Sequence, residues 1–218
     1  MFTGIIEEIG VVSALIKGSK SLRLSVYSKK VLTDLKVGDS ISVNGACLTA
    51  VEVGGNHFSV DAVDETLRRS SLTNIRIGDH VNLERALTLS TRLGGHMMTG
   101  HIDCLGEIKG KIARDQGFEL IIAAPGDFFK YIVPKGSVGV EGVSLTIASI
   151  SPEGFHIAVI PHTIQTTTLG KKNIGEKVNL EADIISKYLE GLFQDENVSQ
   201  SDKMMMNAGF MPLGIWEN

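Results

Sequence analysis

The sequence predicts an all-β chain: two tandem, homologous, six-stranded antiparallel Greek-key β-barrels with short helices and a C-terminal helix. Three observations carry that reading. The chain matches itself at an offset of 96 that becomes 97 after one small gap. Apolar and polar residues alternate with a period of two through much of each copy. Glycine, at 24 residues against 5 prolines, punctuates about six short strands per copy.

The duplication is ordered. Thr3-Gly4 returns as Thr99-Gly100, Gly10 as Gly106 and Leu24 as Leu120. Past the gap, Gly45 returns as Gly142, Leu48-Thr49 as Leu145-Thr146, Phe58 as Phe155 and Thr66 as Thr163. The longest block, Ile77-Gly78 with Val81-Asn82-Leu83-Glu84, returns as Ile174-Gly175 with Val178-Asn179-Leu180-Glu181. The predicted units are a barrel over 1–97, a second over 98–185, and a helix with a tail over 186–218.

Within a copy, Ser21 to Tyr27 and Ser40 to Val43 alternate as half-buried strands do. Gly38-Asp39 and Gly54-Gly55-Asn56 supply turns. Short helical pieces are expected near 29–35 and 64–72, with counterparts near 126–132 and 162–169. A closed barrel suits so many short strands because closure removes unpaired edges. After Glu181, the residues Ile184, Ile185, Tyr188, Leu189, Leu192 and Phe193 fall at helical spacing. That stripe fits packing on its own barrel or contact between subunits equally well. The tail from Gln194, Met-rich and then Pro212 to Trp216, reads as poorly ordered or as a partner contact.

Composition narrows the function. Of 218 residues, 43% are hydrophobic and 21% charged, with a formal charge of −4, so no basic field attracts nucleic acid or an anionic membrane. No stretch approaches the ~20 apolar residues of a membrane span, and the N-terminus lacks signal-peptide character. Two cysteines, Cys47 and Cys104, make no disulfide framework, and a cytoplasmic location is expected. There is no phosphate loop, dinucleotide fingerprint or zinc cluster, and His96 and His101 lie off helical metal spacing, so no metal is expected.

The Thr-Gly pairs read either as tight turns or as ligand-facing backbone. Cys47 and Thr49 share one strand face, as do Ser144 and Thr146. Those polar groups, expected within an apolar barrel, need hydrogen-bond partners, which a polar heterocycle or neighbouring backbone could supply. Between copies, Ile5 becomes His101, Cys47 becomes Ser144, Asn44 becomes Glu141 and Ala86 becomes Asp183. The second copy thereby gains an imidazole and two carboxylates, groups suited to proton transfer. Cys47 is either a soft nucleophile or a small buried hydrophobe. Cys104 reads as structural, and His96 as shaping the link between copies.

Met1-Phe-Thr-Gly-Ile-Ile6, Asn44-Gly-Ala-Cys-Leu-Thr49, Gly94-Gly-His-Met-Met-Thr-Gly-His-Ile102 and Gly142-Val-Ser-Leu-Thr146 together resemble the riboflavin synthase family, alpha-chain type. Thr166-Thr-Thr-Leu-Gly-Lys-Lys172 and Val178-Asn-Leu-Glu-Ala-Asp183 extend the resemblance to about residue 190. It implies an enzyme that dismutates two molecules of 6,7-dimethyl-8-ribityllumazine, held together in one site, into riboflavin and 5-amino-6-(D-ribitylamino)uracil. It also implies no cofactor, a homotrimer joined by C-terminal helices, sites shared between subunits, and lumazine synthase as a further partner.

Carried over by position, the resemblance gives catalytic roles to His101, Cys47, Ser40, Ser144 and Asp183. The N-barrel pocket takes Cys47, Leu48, Thr49, Asp61, Ala62, Val63, Asp64, Glu65 and Thr66, with Gly4, Ile5 and Ile6 as backbone contacts. The C-barrel pocket takes Gly100, His101, Ile102, Lys135, Ser144, Leu145 and Thr146. To these it adds Ile160, Pro161, His162, Thr163, Ile164 and Gln165. Phe2 is expected to cover the site. Two positions depart from the family pattern: His162 stands where Glu is commoner, and Ala46 where a second cysteine is frequent. The rival reading is a non-catalytic lumazine or flavin carrier of the same fold.

Overall fold

The computed structural model describes residues 1–194, so the expectations for the rest of the tail lie outside the described residues. Strands β1 (Glu8–Lys17), β2 (Ser21–Tyr27), β3 (Ser40–Val43), β4 (Ala46–Val53), β5 (His57–Val63) and β6 (His80–Arg85) close an antiparallel barrel in the order β1-β2-β5-β4-β3-β6. Strands β7 (Cys104–Ala113), β8 (Phe118–Ala123), β9 (Ser137–Val140), β10 (Val143–Ser151), β11 (Gly154–Val159) and β12 (Lys177–Ala182) repeat that Greek-key order as β7-β8-β11-β10-β9-β12. Bulges recur at matching places, Val12/Ala14 with Ile108/Gly110 and Ala50/Glu52 with Ile147/Ser149, where an extra residue bends the sheet toward closure.

Alternation does what it predicts. In β2, Leu22, Leu24 and Val26 turn into the first core beside Ile41, Val43, Phe58, Val60 and Leu83, while Arg23 and Tyr27 face out. The second core holds Leu120, Ile122, Val138, Val140, Phe155, Ile157 and Leu180. Helices α1 (Asp64–Arg69) and α2 (Pro161–Thr166) fall where helical character is expected. Each then breaks at an extended residue, Ser70 or Thr167, whose hydroxyl accepts from a backbone N–H two residues on and starts a 3₁₀ turn. The other two expected pieces are 3₁₀ turns only, Val31–Thr33 and Gly126–Tyr131. Helix α3 (Ile184–Gln194) follows the second barrel, with Ile185, Tyr188, Leu189 and Leu192 exposed on it.

The barrels meet across a local twofold. Gly45 and Gly142, both at positive φ (87° and 79°), lie back to back. A Cβ on Gly45 would stand 2.7 Å from the Gly142 nitrogen, and one on Gly142 would stand 2.6 Å from the Gly45 nitrogen. No side chain fits on either, which accounts for the repeated glycine.

The repeated Asn and Glu of the longest matching block serve the same interface. Asn82 donates from Nδ2 to the Glu141 carbonyl (2.9 Å) and accepts on Oδ1 from the Thr168 N–H (2.7 Å). Asn179 donates to the Asn44 carbonyl (2.8 Å) and accepts from the Ser71 N–H (2.7 Å). Glu84 accepts from the Thr3 N–H and hydroxyl and from the Gly4 N–H, at 2.6–3.0 Å. Glu181 accepts likewise from Thr99 and Gly100. Burial pushes both carboxyls above their ordinary range, partly offset by these bonds.

Candidate active site

The cores place the site. Ala46, Leu48 and Ala50 of β4 fill the first barrel, so Cys47 and Thr49 stand on its outer wall. In β10, Val143 and Ile147 turn inward, and Ser144 and Thr146 stand outside. The polar pairs therefore line barrel exteriors and not an apolar lumen, because the lumen is already packed. Leu48 and Ala62 among the candidates are core residues, and Leu145 packs half-buried against the second core.

The two arms that precede β1 and β7 cross the twofold. The Cys47 N–H donates to the Gly100 carbonyl, and the Ser144 N–H donates to the Gly4 carbonyl, both at 2.8 Å. Gly100 has φ +80°, and a Cβ there would lie 2.5 Å from the Cys47 Cβ. The repeated Thr-Gly is thus backbone, its glycine at positive φ, pressed on the opposite repeat's wall and held from behind by Glu84 or Glu181. This reverses the expected grouping. Gly100, His101 and Ile102 belong with Cys47, and Gly4, Ile5 and Ile6 with Ser144. Sequence offset assigns an arm to its own repeat, and nothing in one sequence reveals the crossing.

A cavity of about 310 Å³ results on the first barrel, lined by Cys47, Glu65, Thr66, Arg69, Gly100, His101, Ile102 and Asp103. Helix α1 supplies its Glu65, Thr66 and Arg69, with Arg69 Nε donating to Glu65 at 2.7 Å. Beside these, Asp61 is held by Arg23 through two bonds (2.7 and 2.8 Å), Val63 is exposed, and Asp64 pairs with Arg68 at 3.1 Å. Ser40 pairs in register with Thr49 but opens into a different cavity of about 620 Å³, shared with Thr3, Ile5, Glu84, Thr88 and Arg92.

On the second barrel, Ser144 Oγ lies 2.7 Å from Nδ1 of His96, which is buried. Burial lowers the His96 pKa and the Asp183 carboxylate partly opposes that shift. Asp183 itself caps α3, accepting from the Ile185 N–H at 3.0 Å. Ile160, which precedes α2, and Pro161, His162 and Gln165 within it are exposed, with Thr163 and Ile164 half-buried. Lys135 is exposed at φ 71°, where the first copy has Gly38 at φ 97°.

Three expectations change. The imidazole gained by the second copy, His101, serves the first barrel's wall. Glu141 is no proton-transfer group: fully buried at the twofold, it accepts from the Asn179 N–H and pairs with Lys172 at 3.3 Å. Phe2, expected to cover the site, is 1% exposed and its backbone pairs with Met98, so in the single chain it anchors the arm. Sequence reasoning missed His96 as a site neighbour. The signal available was its place in the Gly94-Gly95-His96 link, ahead of the matched blocks. Burial drives the Cys104 thiol up to about 12, in keeping with a structural role.

A lumazine-binding domain family matches residues 3–86 and again 99–183. The riboflavin synthase of Actinobacillus pleuropneumoniae is 43% identical over 190 residues, covering 87% of this chain and 88% of that one. The chain belongs to the riboflavin synthase family of enzymes. The riboflavin synthase of Bacillus amyloliquefaciens is 39% identical over 215 residues, 99% of this chain and all of its own. Among solved structures, LumP complexed with riboflavin superposes with a TM-score of 0.78 at 27% identity, covering 84% of this chain and 99% of that one. LumP complexed with 6,7-dimethyl-8-(1'-D-ribityl) lumazine gives 0.76 at 26%, with the same coverage. In riboflavin synthase terms, the matched spans coincide with the two barrels and their crossing arms, and α3 lies beyond them. Among the described residues no group of three or more His, Cys, Asp or Glu could hold a metal, and no helix is long and apolar enough to cross a membrane.

Proposed function

We propose that this riboflavin synthase relative binds one 6,7-dimethyl-8-ribityllumazine on each kind of barrel wall and transfers a four-carbon unit between them. The products are riboflavin and 5-amino-6-(D-ribitylamino)uracil, and no cofactor takes part. The observation that carries this reading is the pair of twofold-related walls bearing unlike chemistry, Cys47 with His101 on one and Ser144 with His96 on the other. A dismutation needs one substrate held in two roles, and two homologous but non-identical walls meet that need.

The chemistry asks for a base that takes a proton from the acidic 7-methyl group of one lumazine. It also asks for a nucleophile or bound water that adds at carbon 7 of the other. His101 and Cys47 serve the first wall; Ser144, with Asp183 close to its histidine, serves the second; Ser40 and Thr146 complete the polar set. Holding the two heterocycles in contact contributes most of the acceleration, since orienting two reactants is worth roughly 7–11 kcal/mol.

The bare apolar face of α3 supports a homotrimer in which one subunit's first wall meets a neighbour's second wall. Lumazine synthase as a partner and a cytoplasmic location accompany the same reading. The LumP likeness favours a second reading, a carrier that binds without turnover; the intact polar set of Ser40, Cys47, His101, Ser144, Thr146 and Asp183 speaks against it. The test incubates full-length protein with the lumazine alone and follows riboflavin absorbance. Riboflavin formation is the expected result, binding without turnover supports the carrier, and neither binding nor turnover overturns both.

A further inference from the structure

The twin walls differ in a way their paired residues do not explain. Cys47 and Ser144 occupy matching places, each with its N–H held by a glycine carbonyl from the crossing arm. Yet of these two, among the described residues, only Ser144 has an imidazole within hydrogen-bond distance of its side chain. The ordered matches between the copies begin at Thr3 with Thr99, and His96 stands ahead of them in the link that joins the copies. His96 reaches Ser144 because the Gly94-Gly95 link runs tight against that wall. A Cβ on Gly95 would lie 2.2 Å from the Thr3 carbonyl oxygen and 2.7 Å from the Ser144 Cβ.

The rest of the histidine's setting argues for a fixed task. The residue is 8% exposed, and its Nε2 is buried without a hydrogen-bond partner among the described residues. A ring used only to shape a turn would gain by turning an edge to water; this one places Nδ1 within 2.7 Å of a wall hydroxyl. An uncharged ring in that position can accept the serine proton, and Oγ then presents its free lone pairs to the outer face.

We propose that His96 is the positioning residue for Ser144: its Nδ1 accepts the Ser144 hydroxyl proton as a hydrogen bond and so fixes Oγ as an acceptor facing the ligand on the second wall. The inference rests on the synthase reading and adds a division of labour to it. The second wall carries a hydroxyl locked as acceptor, whereas the first carries an unbacked thiol. Ser144 thereby holds a substrate donor group or the water that adds at carbon 7, and no proton leaves Ser144.

The test combines kinetics with a direct view of the ring in the full-length protein. His96→Ala should lower kcat by about 10-fold or more while riboflavin affinity, read by fluorescence titration, changes by less than about twofold. His96→Asn, which keeps an acceptor near the Nδ1 position, should recover part of the loss. The pair His96→Ala with Ser144→Ala should be no slower than Ser144→Ala alone. Losses that multiply, an unchanged kcat, or kcat and affinity falling together would overturn the proposal.

Nitrogen NMR of the unmutated protein decides the matter even where His96→Ala fails to fold. Nδ1 should give an unprotonated, hydrogen-bonded signal that moves in Ser144→Ala. A protonated Nδ1, or no response to Ser144→Ala, would overturn the bond's assigned direction or its existence. Absence of turnover in the unmutated enzyme would instead overturn the synthase reading, with the NMR result still judging the hydrogen bond.

Discussion

Asn82 and Asn179 each reach through the twofold into the other barrel, and each binds there one carbonyl and one N–H with the same amide. Asn82 serves Glu141 and Thr168, and Asn179 serves Asn44 and Ser71. Both are essentially buried, as are Glu141, Thr168 and Asn44 among their partners, so these groups have no water to fall back on. The two barrels are therefore joined by groups that are satisfied only while the barrels stay together. That junction holds the crossing arms against Cys47 and Ser144.

Asn82→Ala would leave the Glu141 carbonyl and the Thr168 N–H without the partners it supplies. The expected loss is about 2–4 kcal/mol, since each buried unsatisfied group costs ~1–3 kcal/mol. Denaturant unfolding measures it. Asn82→Asp should be worse than the same change on an exposed strand, because a carboxylate there faces the Glu141 carbonyl and retains no donor. A loss below about 0.5 kcal/mol for Asn82→Ala would show that the junction carries little of the stability.

The Glu141–Lys172 pair can be tested by the protein's own repeat. In the first copy the matching positions hold Asn44 and Ile75, a neutral solution to the same packing problem. Glu141 is fully buried, and burial pushes its carboxyl up despite the opposing pull of Lys172. Lys172→Ile alone should destabilise by on the order of 3 kcal/mol, because it strands a buried carboxylate. Lys172→Ile with Glu141→Asn, which copies the first repeat, should recover most of that loss. A double variant no more stable than the single one would refute the view that the pair is an exchangeable interface device.

Much of this architecture was legible in the sequence because duplication and alternation act locally. Period-two patterning gave β2 and β3 their bounds, since each inward residue must meet the core. The helical pieces near 29–35 and 126–132 were legible in place but not in kind, because propensity does not separate one 3₁₀ turn from a short α-helix. The site was half legible. Cys47 with Thr49, and Ser144 with Thr146, share an outer barrel wall as their alternation allows. Which side of the barrel they face was not readable, for two polar residues on a strand face look alike whether the lumen or the exterior receives them. The crossing of the arms and the His96–Ser144 contact depend on residues far apart in the chain coming together, 48 apart in the latter, and no local pattern encodes that.

His96 should leave a mark on stability as pH falls. Burial is the larger influence and depresses its pKa below the ordinary 6.5, with Asp183 opposing. A histidine depressed in the folded state contributes stability that is present above the unfolded pKa and lost as pH falls through the folded one. Unfolding free energy should therefore decline below about pH 6.5, and His96→Asn should flatten that part of the profile. Urea unfolding from pH 7.5 down to 5 follows it. Identical slopes in the two proteins would mean that the ring titrates as it does in the unfolded chain.

The final prediction concerns the bare face of α3. Ile185, Tyr188, Leu189 and Leu192 recur at helical spacing and are 49–71% exposed. They share no role with the barrel cores, which are complete without them. Each such side chain yields about 1.5–3 kcal/mol when fully buried, ample for self-association through a symmetric contact. Against the trimer proposed above, Tyr188→Glu with Leu192→Glu should give a smaller particle than the unmutated chain by light scattering. The strand signal in circular dichroism should persist, because α3 lies outside both barrels. Riboflavin should still bind to the separated chains, but turnover should fall to background if one subunit's Cys47 wall must face another's Ser144 wall. Full turnover from the smaller particle would confine the reaction to one chain and remove the reason for a shared site.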